Sequence, residues 1–273
     1  MNTARIEISG EKQRPRSPRG AKGVTALAFL LLYVPLVTLV VYSFLDTRVD
    51  AERLWTFMWY RKVFSNRQIL DALTMSLNIG FWCTLVSTGL GTTAALAIER
   101  GRFPGRKIFD ALVHVPLIMP EIVMGLSLLI WFVFLRLTLG TLSIILAHIT
   151  FSVSYVIITV KSRLHDFDDS LEEAARDLGA SPWQTFWRVT FPLIWPGVLS
   201  GALMAFSLSF DDFLITFFTA GVGSDTLPLK IYSMIKFGVS PEINALSTIM
   251  LLVTLVLVFV SFRPAKRTAQ AAT

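Results

Sequence analysis

Three carboxylic acids, Glu121, Asp211 and Asp212, lie inside stretches otherwise apolar enough for a lipid bilayer. An acid there costs about 2.5–3.5 kcal/mol on insertion scales, which makes each one a functional candidate. No Lys or Arg falls deep in any of these stretches, so no internal counter-charge is evident. Three such acids in a helix bundle suit a path for a polyvalent cation. The competing reading is structural, with each carboxyl protonated or hydrogen-bonded between helices. Glu121, near the middle of its stretch, follows Pro120, which frees a backbone carbonyl and bends a helix, so packing is a second explanation for it. Asp211 and Asp212 are neighbours and point about 100° apart on a helix. Asp211 continues a stripe with Ser200 and Ser207, and Asp212 lies with Ser209, Thr216 and Thr219. One acid therefore faces the path and the other a neighbouring helix or subunit, and the sequence leaves open which.

The second chemistry-bearing stretch is a polar island, Ser170 to Pro192. Ser170 followed three residues later by Glu173 predicts a capping box and a helix over Leu171 to Leu178. Gly179 suits the position after that helix, because it tolerates positive φ. Ser181, Pro182 and Gln184 predict a second capped helix, ended by Phe191-Pro192. Such a helix–turn–helix either docks on a partner or lies on the bilayer, where Trp183, Phe186 and Trp187 would form an interfacial belt.

Other chemistries are poorly served. There is no phosphate-binding loop, so the chain is not its own ATPase. The single cysteine, Cys83, excludes a disulfide framework and a cysteine-based metal site. His114 and His148 read as interfacial or bundle-packing residues, and Asn78 as interhelical glue. No catalytic or metal-ligating set is expected. Trp55, Trp59 and Tyr60 suggest an outer interfacial helix or a contact for an extracytoplasmic protein.

The elements that must position these residues are membrane helices. The chain has 273 residues, 53% hydrophobic and 16% charged, with mean hydropathy +0.61. A span needs roughly 20 apolar residues. Val24–Leu45, Ser76–Ile98, Ile108–Leu135, Leu142–Val160, Gly197–Thr219 and Ile243–Phe262 meet or approach that. The fold class is therefore all-α, with six transmembrane helices. Lys and Arg divide 17 against 8 between alternate segments, which places both termini and the island in the cytoplasm. The net charge of +6 follows from that bias and gives no reason to expect nucleic acid. The organisation predicted is a basic, disordered tail (1–23), a six-helix domain (24–262) with a cytoplasmic loop (161–196), and a tail (263–273).

The island resembles the cytoplasmic motif of bacterial ABC-importer permeases. Glu173-Ala174-Ala175, Gly179, Val189 and Phe191-Pro192 follow its spacing, with Phe191 where Leu is usual. The resemblance narrows to permease subunits of spermidine/putrescine importers, of the binding-protein-dependent inner-membrane component family. It is closest at Pro120–Met124, Ser207–Asp212, Leu227–Met234 and Gly238–Ala245, while the first 22 residues carry none of it. It implies a type I importer permease fold. It also implies that Glu173, Ala174, Ala175 and Gly179 dock on a cytoplasmic ATPase dimer, which binds the ATP and Mg; small side chains suit a close-seated helix. Further implied are a second, related permease subunit and an extracytoplasmic polyamine-binding protein, at the bacterial inner membrane. Glu121, Asp211 and Asp212 would then meet polyamine cations. The rival substrates are an opine or a basic amino acid. An ATP-independent secondary transporter is a weaker rival, since no internal repeat is evident.

Overall fold

The computed structural model describes residues 19–46, 55–165, 168, 170–238 and 240–269. Twelve helices follow one another among the described residues: α1 (Arg19–Tyr42), α2 (Met58–Ser65), α3 (Arg67–Arg100), α4 (Arg106–Ile118), α5 (Glu121–Phe134), α6 (Thr141–His165), α7 (Ser170–Asp177), α8 (Pro182–Thr185), α9 (Phe191–Asp211), α10 (Leu214–Thr219), α11 (Leu227–Lys236) and α12 (Pro241–Ala269). Among the described residues the one extended pairing is an isolated bridge between Leu45 and Trp55. Five helical runs are long and apolar enough to cross a membrane, and the bent pair α4–α5 makes a sixth if it is one span. The chain is thus an all-α, multi-pass membrane protein.

The core is the triple contact of α3, α6 and α9. Val156, fully buried on α6, lies between Gly91 of α3 and Gly201 of α9. A Cβ on Gly91 would fall 2.6 Å from the Val156 Cβ, so only glycine permits this approach. Without a hydrophobic force between helices in lipid, such close backbone packing holds the bundle. Ala95, Ile98, Val160, Ile194 and Val198 extend the cluster toward one end. The apolar flank of α1 is largely exposed, as suits a helix facing lipid or another subunit. Beyond it, the Trp59 indole donates to Leu45 O (2.9 Å) and Tyr60 bonds Ser43 (2.7 Å), which seats α2 against the end of α1.

Several elements depart from the sequence expectation. Ile108–Leu135 is not one helix: α4 and α5 meet at 110°. Met119 and Pro120 are both extended, as a residue before proline prefers, and Glu121 opens α5 rather than lying in mid-span. Gly197–Thr219 is likewise interrupted, at Asp212. Phe191-Pro192 does not end the island's second helix, and helical structure runs unbroken from Pro182 to Asp211. A π-turn over Phe186–Thr190 makes this possible. Its wider spacing relaxes the ladder where Pro192 has no N–H and its ring would clash. α1 begins at Arg19, inside the expected tail, and α12 continues to Ala269. The disorder expected for residues 1–18 concerns positions outside the described residues.

Candidate functional site: a carboxylate cavity and an exposed helical turn

The two interrupted spans face each other. Pro116, Met119 and Glu121 at one break, and Leu208, Asp211, Asp212 and Phe213 at the other, line a cavity of about 490 Å³. Glu121, Asp211 and Asp212, dispersed in the sequence, therefore share one site. Phe151 and Tyr155 of α6 complete its wall, and no Lys or Arg is among its lining residues. Carboxylates beside aromatic faces are suited to organic cations. Asp211 also borders a second cavity of about 350 Å³ toward α11 and α12.

The adjacent acids have different surroundings. Asp212 closes α9 in an extended conformation, and its carboxylate caps α10. It accepts from the N–H groups of Ile215 (3.4 Å) and Thr216 (2.8 Å) and from the Thr216 hydroxyl (2.8 Å). His148 Nε2 lies 3.2 Å from the same carboxylate, whose side chain is 6% exposed. Asp211 and Glu121 are exposed, and neither has an ion-pair partner among the described residues. The Asp212 stripe of Ser209 and Thr216 is legible in the sequence. The contribution of His148 was not, because that residue reads equally well as ordinary bundle packing. The Asp211 stripe serves packing: Ser200 bonds Ser261 O (2.7 Å) and Ser207 is buried. Asn78 is exposed and makes no side-chain bond among the described residues, so it is not glue within this chain. Its place on the outward face of α3 explains the difference. His114 is exposed and bonds Asp110 O (2.8 Å).

The island forms a helix, a turn and a second helix. α7 ends in a Schellman pair, Ala180 N–H to Ala175 O (3.0 Å) and Gly179 N–H to Arg176 O (2.9 Å), with Gly179 at φ +87°. The Ser181–Gln184 capping box is complete. The Ser170–Glu173 box is not formed, because Ser170 is already helical and Asp168 Oδ1 accepts its N–H (3.0 Å). Hydrogen bonds from the Ser170 hydroxyl and N–H hold the Asp168 carboxyl below the usual range. Glu173, Ala174 and Gly179 are exposed, Ala175 is half-buried, and Leu178 is 90% exposed beside them. Glu172, on the opposite face, is buried: Arg100 of α3 meets it at 2.6 Å and the Thr190 hydroxyl donates to it. Nothing in the sequence singles out Glu172, since only the fold reveals which of two adjacent glutamates turns inward.

A bundle of broken apolar helices around an acid-lined cavity, with a polar helical turn at one end, defines a membrane permease component. The sequence profile of the family described as "Binding-protein-dependent transport system inner membrane component" matches residues 87–269, and the chain belongs to that family. It is accordingly a multi-pass protein of the inner membrane. It is 41% identical over 236 residues to the putrescine transport system permease protein PotI of Escherichia coli (strain K12), covering 84% of each chain. To the spermidine/putrescine transport system permease protein PotC of the same strain it is 39% identical over 240 residues, covering 88% of this chain and 91% of the relative. Among solved structures, a bacterial ABC transporter involved in the import of the acidic polysaccharide alginate superposes with TM-score 0.67 at 17% identity, covering 90% of this chain and 96% of that one. The methionine ABC transporter MetNI gives TM-score 0.54 at 19% identity, covering 79% and 97%. At these identities the structures share the fold alone.

Proposed function

We propose that this chain is the permease subunit of an ABC importer for putrescine or spermidine, in which Glu121 and Asp211 form part of the cation path. The observation that carries the proposal is the shared cavity: carboxylates from two broken spans, with aromatic walls, at the interrupted helices of a bundle whose relatives are polyamine permeases. Discontinuous helices around a central site recur in transporters, because freed backbone and helix ends can serve a ligand there. Asp212 belongs to the same wall as a fixed negative charge.

Both termini and the α7–α8 turn face the cytoplasm in this reading, following the Lys and Arg bias. Glu173, Ala174, Ala175 and Gly179 seat in an ATPase subunit, and Leu178 adds apolar area beside them. A second, related permease completes the pore, and an extracytoplasmic binding protein delivers the polyamine. When ATP closes the ATPase dimer, α7 moves with it. The motion enters the bundle by two routes: the continuous helix from Pro182 to Asp211, and the Glu172–Arg100 contact with α3. The coupling is a rigid-body change between two states.

The experiment is uptake of labelled putrescine and spermidine in the native cell, with the chain deleted and then restored. Loss and rescue of either amine supports the proposal and names the preferred substrate. Unchanged uptake of both, in cells without a second polyamine system, moves the substrate to another amine such as an opine or a basic amino acid.

A further inference from the structure

His148 is completely buried, yet it does not line the acid cavity. Its contacts lie on both sides of the break in the fifth span. Nδ1 meets Ser209 Oγ on α9 (2.7 Å), and Nε2 meets Thr216 Oγ1 on α10 (3.0 Å) and Asp212 Oδ2 between them (3.2 Å). With the Ser209 hydroxyl donating to Nδ1 and Nε2–H donating toward Asp212 and Thr216, one imidazole tautomer satisfies both ring nitrogens. A single side chain of α6 thus clamps both halves of a broken helix at a fixed offset.

The clamp also decides which acid is available. A carboxylate offers about four acceptor sites. On Asp212, Thr216 N–H, the Thr216 hydroxyl and His148 Nε2 converge on Oδ2, and Ile215 N–H (3.4 Å) reaches Oδ1. Oδ2 therefore has no capacity left for a cargo ammonium, and these four donors fix the carboxylate in place. Asp211, the last residue of α9, is presented to the cavity by the same turn of the chain.

We infer that His148 is a positioning residue for the cation path: it holds Asp212 as the cap of the broken span and so turns Asp211 toward the cavity. The inference rests on the cation-path reading proposed above, and its test separates the two. In the whole importer, with Cys83→Ser as background, Asp211→Cys is labelled with a water-soluble methanethiosulfonate, with and without His148→Leu. Phe237→Cys, at an exposed position outside the docking turn and the cavity, is the control. His148→Leu should slow labelling at position 211 about fivefold or more and leave the control unchanged. In the otherwise native chain it should lower maximal putrescine uptake about tenfold. His148→Gln, which keeps a donor toward Asp212, should restore most of both. Labelling and uptake both within twofold of the parent, at a normal membrane level, would overturn the inference. If the His148→Leu chain does not accumulate, Ser209→Ala removes the bond to Nδ1 and Thr216→Val removes the hydroxyl that meets both Nε2 and Asp212, and unchanged labelling in both overturns it equally. Normal uptake by Asp211→Asn would instead remove the cation path, while the labelling still decides the clamp.

Discussion

Gly179 distinguishes backbone strain from docking, because its two constraints separate in the structure. Its φ of +87° lies in the left-handed region, yet a Cβ built there meets no heavy atom within 4 Å. Among the described residues a Cβ at Gly179 therefore meets no clash and adds only conformational strain. That strain is about 1–2 kcal/mol for an ordinary residue and less for Asn, which visits this region. Gly179→Asn should therefore be mild, and Gly179→Ala should weaken the turn by about 1 kcal/mol, roughly a fivefold change in its equilibrium. On backbone grounds Gly179→Trp should match Gly179→Ala. If an ATPase groove fills the open space, size decides instead: Gly179→Trp should abolish uptake while Gly179→Asn and Gly179→Ala retain most of it. The assay is labelled putrescine uptake, paired with membrane abundance and co-purification of the ATPase. Equal effects of Ala and Trp, or normal uptake with Trp, would refute docking at this turn.

Glu173→Lys should abolish uptake and leave the chain in the membrane, since it reverses the charge on the exposed face of α7; normal transport would remove Glu173 from the docking surface. Glu172→Gln should cost about 2 kcal/mol, because the buried Glu172 loses the charge that Arg100 and the Thr190 hydroxyl meet, and should lower the melting temperature of the purified importer. An unchanged melting curve would mean that the contact carries little. Gly91→Leu should prevent accumulation of the chain, because overpacking against Val156 costs about 1–3 kcal/mol or more, and normal membrane levels would argue against the close α3–α6 approach. Asp168 has a depressed folded pKa, so its cap is present above the ordinary Asp value and is lost as pH falls through the folded one. Coupling through α7 should therefore be flat between about pH 6 and 8, and a steep change there in an Asp168→Asn comparison would contradict the cap.

The sequence by itself determined what depends on neighbours in the chain. Runs of apolar residues long enough for a bilayer, the Ser181–Gln184 box and the glycine at the end of α7 are local, and each is found where spacing places it. Its misses are also local choices, decided by contacts from elsewhere. Pro120 signals a bend but not a 110° turn, and Phe191-Pro192 reads as a stop until a π-turn absorbs the missing N–H. Tertiary structure alone brought Glu121 within one cavity of Asp211 and Asp212, and turned Glu172 inward against Arg100. It also separated two adjacent aspartates into one held by four donors and one exposed at the cavity. The physical reason is that helical periodicity gives a residue its direction around its own axis, whereas the partner it meets is set by which helices pack and where they break.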